Sequence, residues 1–179
     1  AFARARHFLS FMPEYVGQSA RRSACGDPAD RREEALLSLV PRDAKQVYSM
    51  RRGMEMLFDQ GTVFEIGKHW GRAAITAFAR LDGWPVCVVA SDPSYLGGSW
   101  EAKTAEKVER FVKLADQFRL PIVHLVDNPG FMIGREAELA GTIRYGVNAM
   151  NAIYRATVPL ASIVLRRAYG IAGSAMSNA

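Results

Sequence analysis

The chain has 179 residues, enough for one domain with a sizeable apolar core, and its 49% hydrophobic and 23% charged residues lie in the range of ordinary globular proteins. The formal charge of +5 comes mostly from arginines scattered along the chain, often beside acids as in Arg31-Arg32-Glu33-Glu34. That excludes a polybasic tail and points to a solvated face, with anionic ligands the next reading and nucleic acid a poor third. No segment approaches the roughly 20 apolar residues of a membrane span, no secretory leader pattern is visible, and Cys25 and Cys87 make neither a disulfide framework nor a metal-ligand cluster. A soluble intracellular protein without a metal site is expected, with Cys87 a buried free thiol in its apolar run.

In chain order, Phe2, Ala5, Phe8 and Leu9 share one helical face with no start signal before them, so the chain is expected to begin inside a longer sequence. Met12 to Arg32 mixes Pro, Gly, Ser, Asp and basic residues and reads as an extended connection. A short helix is predicted over Glu33 to Leu39, ended by Val40-Pro41. Asp43 then caps a second, with Val47, Met50, Met54, Leu57 and Phe58 as its apolar stripe.

Val63 to Ile66 reads as a short strand and Gly67 to Gly71 as a loop, followed by two strands, Ala74–Leu81 and Pro85–Ala90, around the tight-turn dipeptide Asp82-Gly83. Glu101 to Phe118 is an amphipathic helix, with Ala105, Val108, Phe111, Val112 and Ala115 on one face and Lys107 among the residues off it. Leu120 to Val126 is a continuous apolar run, as expected of a strand buried on both faces. The unit repeats as a helix over Glu136 to Tyr154 and a buried strand over Pro159 to Leu165. A small-residue helix then starts within Ala172 to Ala179. Strands alternating with helices predict an α/β fold with right-handed crossovers and functional loops at the strand ends.

No familiar catalytic side-chain pattern is present: His7, His69 and His124 are spread out, none spaced with a Cys or Ser as in a triad. His124, inside an apolar strand, reads as a hydrogen-bonded core histidine, whereas His69, beside Trp70 in a loop, is open to either reading. Three glycine-bearing loops are more informative: Tyr95–Ser99, Asp127–Gly134 and Tyr169–Gly173, each between a strand and a helix. Backbone N–H groups approach a ligand there without an intervening side chain and at the positive end of a helix dipole. They could stabilise a developing oxyanion without any ionisable residue; the alternative is that the glycines only permit tight turns.

The runs Pro121–Gly134 (PIVHLVDNPGFMIG), Ala140–Gly146 (AGTIRYG), Thr157-Val-Pro159 and Arg167–Gly173 (RAYGIAG) resemble the carboxyltransferase of biotin-dependent acyl-CoA carboxylases, a group with the crotonase-like fold, a spiral of ββα units. The resemblance covers roughly Val47 to Ala179. It implies a biotin-side, C-terminal domain over 47–179, cut short at its C-terminus, with 1–46 as connector and N-terminal arm.

By the same resemblance, a carboxyl group passes from carboxybiotin to the α-carbon of an acyl-CoA. The Ile171 and Ala172 amides stabilise the ureido oxygen as CO2 leaves, and the biotin nitrogen takes the substrate α-proton, so no side-chain base is needed. Pro129, Gly130, Phe131, Tyr169, Gly170, Gly173 and Ser174 form the surrounding pocket. Biotin is carried on a separate domain or subunit, and acyl-CoA is held by the N-terminal half of a partner subunit, so the active site forms across the interface of a homo-oligomer. A biotin carboxyl carrier protein and a biotin carboxylase are the implied partners, nucleic acid and membrane are not, and the cytoplasm, or the mitochondrial matrix of a eukaryote, is the implied compartment.

Two positions depart from the pattern: many relatives have Gly where Ile171 stands, and an acidic residue often occupies the position of Ser174. Two other functions remain open. One is a crotonase-like hydratase, isomerase or hydrolase using carboxylates such as Glu136 and Glu138, which could instead simply face solvent at a helix N-terminus. The other is a noncatalytic subunit.

Overall fold

Asp82 and Gly83 both adopt positive φ, 49° and 77°, the backbone of a type I′ hairpin turn whose twist matches that of paired strands. In the computed structural model, which describes residues 2–15, 17–28, 30–174 and 176, the flanking strands pair without interruption from Ala74 opposite Ser91 to Leu81 opposite Trp84. They are the second and third of five strands: β1 (Phe64–Ile66), β2 (Ala74–Leu81), β3 (Trp84–Ser91), β4 (Ile122–Asn128) and β5 (Leu160–Ala168). The spatial order equals the chain order. β1 to β3 are antiparallel neighbours, whereas β3, β4 and β5 run parallel. The helices are α1 (Phe2–Leu9), α2 (Met50–Leu57), α3 (Ala102–Gln117), α4 (Arg135–Leu139), α5 (Thr142–Arg155) and α6 (Gly170–Ser174).

Strand alternation splits the core into two layers. On one face Phe78, Cys87, Val89, Ile122 and Val126 pack against Val108, Phe111 and Val112 of α3 and Ala149, Ala152 and Ile153 of α5. On the other, Ile75, Ala77, Val86, Val88, Val123 and Leu125 pack against Met50, Met54 and Phe58 in and after α2. Burial of each of the Val, Leu, Ile, Phe and Met side chains contributes about 1.5–3 kcal/mol, and both crossover helices lie on the same face, so the ends of the parallel strands stay open for loops. Cys87 is a buried free thiol, as expected, and burial pushes its pKa well above the usual thiol range.

Several boundaries differ from the sequence reading. Asp43 caps nothing: its carboxylate accepts the Lys45 N–H at 2.9 Å in a local turn, and Ser49 caps α2 by accepting from the Arg52 N–H at 3.2 Å. Val47 consequently stands outside the helix and is exposed. The expected short helix at 33–39 is a 3-10 turn over Glu34–Ser38.

The expected helix from Glu136 to Tyr154 is two, α4 and α5, because Gly141 takes a left-handed conformation (φ 74°) between them. β5 is an edge strand with Val164 58% exposed; a local apolar run alone cannot distinguish the edge of a sheet from its centre. Lys107 is buried in α3, its Nζ donating to the Ala74 carbonyl at 2.7 Å, and burial brings its pKa down to about 8. Residues 10–33 contain no helix or strand among those described, but they dock on the sheet: Arg80 donates to the Ser10 carbonyl at 2.6 Å, Ser23 N–H to the Gly83 carbonyl at 3.0 Å, and Phe11 is buried. The expected C-terminal helix is α6 at 170–174; residues 175 and 177–179 lie outside the described residues.

His124 is the core histidine its strand position predicts, 2% exposed, and burial depresses its pKa to about 4 against a backbone hydrogen bond at Met176 that opposes the shift. The folded chain therefore leaves His124 neutral between pH 4 and 6.5, where the unfolded chain binds a proton. Stability falls as pH drops through that window. His124→Leu should reduce the loss in urea-unfolding free energy between about pH 7 and pH 4.5 by about 2–3 kcal/mol; an unaltered loss would contradict the assignment.

Candidate active site

Because β3, β4 and β5 are parallel, the three glycine loops leave the same edge of the sheet, and hydrogen bonds join them. The Trp100 N–H donates to the Gly130 carbonyl at 3.1 Å and the Met132 N–H to the Trp100 carbonyl at 2.9 Å, tying the first loop to the second. The Tyr169 N–H donates to the Asn128 carbonyl at 3.1 Å, tying the third to the second. Gly98, at φ 87°, packs so closely that a Cβ there would lie 2.6 Å from the Asp127 carbonyl oxygen; only glycine permits this approach.

The loops differ in which amides remain free to bind a ligand. The Gly98 and Ser99 N–H groups are used by the Tyr95 and Leu96 carbonyls, and the Gly130 N–H by Asn128 Oδ1 at 2.6 Å. The Gly173 N–H bonds the Tyr169 carbonyl at 3.1 Å. At the start of α6, the Ile171 and Ala172 N–H groups have no acceptor among the described residues, as is also true of Leu96 and Gly97 in the first loop, Phe131, Ile133 and Gly134 in the second and Gly170 in the third. Ile171 is 63% exposed and Ala172 lies immediately beneath it without exposed surface.

Of the other expected site residues, Tyr169 is exposed, and Gly170 takes φ 64° with open space where a side chain would project. Gly173 packs against the Ala168 backbone, and Ser174 Oγ donates to the Ile171 carbonyl at 2.7 Å. Pro129 is partly buried. Phe131 turns its ring onto α5, where a Cβ at Gly146 would lie 2.5 Å from Cζ, and meets Trp100 edge-on at 6.1 Å. Between the first two loops and α4–α5 lies a cleft of about 650 Å³ whose lining includes Tyr95, Met132, Ile133, Glu136, Thr142 and Tyr145. Thr142 Oγ1 is buried there without a partner among the described residues.

The three histidines are not brought together: His7 packs between Phe11 and Phe64, His69 is exposed in its loop and His124 is in the core. Glu138 is exposed, as is Glu136 at the cleft. Two buried carboxylates lie at the ends of β3 and β4, and both are in ion pairs, Asp92 with Arg51 at 2.6 Å and Asp127 with Arg166 and Arg167 at 3.0 and 2.7 Å.

The Asp127 cluster is the feature that sequence reasoning missed. Asp127 has no exposed side-chain surface, and Tyr48 Oη also donates to it, at 3.0 Å. Burial alone would raise its pKa; the hydrogen bonds from Arg167 and Arg166 outweigh that and hold it below the usual carboxylate value. Burial, reinforced by the charge of Asp127, pushes Tyr48 upward. The signal that could have found the cluster was a pair of adjacent arginines closing an apolar strand, next to a strand ending in Asp.

The whole chain, residues 1–179, matches the carboxyl transferase domain family. It is 35% identical to the propionyl-CoA carboxylase beta chain of Roseobacter denitrificans over 99% of its own length and 35% of that protein's. It is 36% identical to the methylmalonyl-CoA carboxyltransferase 12S subunit of Propionibacterium freudenreichii subsp. shermanii, covering 97% of this chain and 33% of the relative. With the methylmalonyl-CoA decarboxylase subunit alpha of Veillonella parvula it shares 34% identity over 94% of this chain and 33% of the relative. The chain thus spans about a third of the length of these relatives. A transcarboxylase 12S crystal structure with methylmalonyl-CoA and methylmalonic acid bound superposes with a TM-score of 0.93 at 34% identity, over 97% of this chain and 33% of that one. The chain belongs to the carboxyl transferase domain family, and its α/β architecture is crotonase-like.

Proposed function

We propose that this chain forms the biotin-facing part of a carboxyltransferase that moves a carboxyl group between biotin and the α-carbon of an acyl-CoA. The observation that carries the reading is the pair of unpaired amides, Ile171 and Ala172, at the meeting point of three glycine loops. Residues 47–179 would be the biotin-side domain and 1–46 the connector and arm docked on it. The relatives named as propionyl-CoA carboxylase, methylmalonyl-CoA carboxyltransferase and methylmalonyl-CoA decarboxylase differ in overall reaction, yet each name specifies a carboxyl group gained, exchanged or lost on an acyl-CoA.

When bound, the biotin ureido ring supplies the transferable carboxyl group and a nitrogen able to take the substrate α-proton. The Ile171 and Ala172 N–H groups would point at the ureido oxygen, entering from the exposed Ile171 side, and preorganised donors of this kind stabilise charge as it develops. Gly170, with open space at its α-carbon, allows the ring to approach the backbone, and Pro129, Gly130, Phe131, Tyr169, Gly173 and Ser174 would shape the surroundings. No side-chain base is required, in keeping with the ion-paired Asp92 and Asp127 and the exposed Glu136 and Glu138. The hydratase, isomerase or hydrolase reading lacks an unpaired buried carboxylate at these loops among the described residues.

Acyl-CoA would be held by the N-terminal half of a partner subunit in a homo-oligomer. A biotin carrier protein and a biotin carboxylase would supply the loaded biotin. The transcarboxylase 12S structure is that of a hexamer assembly and a multienzyme core, which supports an assembled enzyme. No described helix is long and apolar enough to cross a membrane. The cytoplasm fits a prokaryotic source; the mitochondrial matrix fits a eukaryotic one, as a rat relative at 33% identity is named mitochondrial.

The full-length protein, mixed with carboxylated biotin carrier and an acyl-CoA panel, should transfer labelled carboxyl to at least one acyl-CoA; no transfer to any would refute the reading. Ile171→Pro removes one N–H in the first turn of α6, where proline fits helical geometry, and adds no bulk at the enclosed Ala172. It should lower the transfer rate on the order of 100-fold with the melting temperature nearly unchanged. An undiminished rate would remove Ile171 from the site.

A further inference from the structure

In a regular strand neighbouring side chains point to opposite faces, yet Arg166 and Arg167 of β5 both reach the Asp127 carboxylate. The cause is a break in the β4–β5 ladder. Val126 pairs with Val164 and Asn128 with Ala168, so the single residue Asp127 stands opposite three, Leu165, Arg166 and Arg167. Asp127 sits at this break, its N–H bonded to Ser91 Oγ on β3 at 3.0 Å and its carbonyl oxygen against Gly98.

The two arginines then diverge. Arg166 Nη1 donates to the Gln46 carbonyl at 2.9 Å and to that of Ala44 at 3.3 Å, in the arm. Arg167 Nε donates to Asp127 Oδ1 and Nη2 to the Gly97 carbonyl, both at 2.7 Å. Arg167 therefore binds the first glycine loop and the end of β4 at once. Two residues later the chain reaches Tyr169, at the threshold of α6 and its unpaired amides.

We propose that Asp127 and Arg167 are positioning residues for carboxyl transfer. Their pairing maintains the ladder break and fixes the distance between the Gly97–Gly98 loop and the Ile171–Ala172 amides. Arg167 acts through the backbone it holds and touches neither biotin nor acyl-CoA; Arg166 shares Asp127 but extends from it to the arm, with no bond to the Gly97–Gly98 loop among the described residues. The inference rests on the carboxyl-transfer reading for its catalytic consequence, while its structural content can be measured independently.

The test compares Arg167→Met, Arg167→Lys and Arg166→Met in the full-length assembled protein. Amide hydrogen exchange is followed at hydrogen-bonded reporters of the loops (Gly98, Trp100, Tyr169 and Gly173), with the β2–β3 hairpin as internal reference. Arg167→Met should accelerate exchange at all four reporters roughly tenfold, leaving the hairpin unchanged, since the change is a local opening. It should lower kcat on the order of 100-fold with the acyl-CoA KM unchanged. Arg167→Lys, keeping a cation beside Asp127 but replacing the separate Nε and Nη2 contacts by one ammonium, should recover only part of both effects, and Arg166→Met should leave the four reporters near wild type.

Unchanged exchange at the reporters, or acceleration spread evenly through the hairpin, would overturn the positioning role, as would a loss confined to KM. Absence of carboxyl transfer by the unmodified protein would refute the functional reading alone, because the exchange experiment is still read in full.

Discussion

A buried carboxylate with two guanidiniums and a phenol around it organises the loop end of this molecule. Moving Asp127 out of water costs several kcal/mol unless the charge is paired, and it is paired with residues from β5 while Tyr48 donates from the segment leading into α2. Hydrophobic burial on the two faces of the sheet is non-directional and would tolerate some sliding of β5 along β4. The hydrogen-bonded charges would not, since a shift of one residue would leave at least one of them buried and unpaired. Directional electrostatics thus set the register at the site, whereas burial supplies most of the stability elsewhere.

The placement of chemistry follows from that division. Asp92 and Asp127, the carboxylates buried at the loop end, are each committed to arginine, so neither is left as a base, and in the proposed reading the working groups are backbone amides at the start of α6. Their donor strength does not depend on protonation over the physiological range. Such a site is sensitive to backbone geometry and insensitive to the titration of a catalytic side chain. A family whose members are named for adding, exchanging and removing a carboxyl group is consistent with this: amides so placed would stabilise charge in either direction of the reaction.

Much of the architecture could be read from local pattern. The Asp82-Gly83 turn, the α3 stripe and the apolar β4 run each encode an element through their own composition, and the glycine loops were visible as interruptions between them. What escaped detection depended on partners distant in sequence or on local competition. Ser49 displaced Asp43 as a cap because Asp43 is satisfied within its own turn. Lys107, polar in the pattern, is buried because carbonyls 33 and 36 residues away receive its ammonium group. β5 looks central in composition, yet among the described residues it pairs on one side alone, with β4. The Asp127–Arg167 pair, 40 residues apart, has no periodic signature, and the ladder break that unites it exists only once β4 and β5 are side by side. The roles proposed for Ile171 and Ala172 rest on resemblance; their lack of acceptors among the described residues is a feature of the structure.

The three-against-one ladder break also bears on which length changes the chain can absorb. Residues Ile133 to Leu139 form a largely exposed stretch along one wall of the cleft, where an inserted residue would be taken up by solvent-facing backbone. Between Val164 and Ala168 there is no such slack. Deleting one residue there would rotate everything that follows by one strand position, turning Ala168 from the core and swinging α6 away from the other loops. Homologues should therefore vary freely in length around α4 and keep a fixed count across the end of β5, a spacing constraint that acts on chain length more strictly than on side-chain identity.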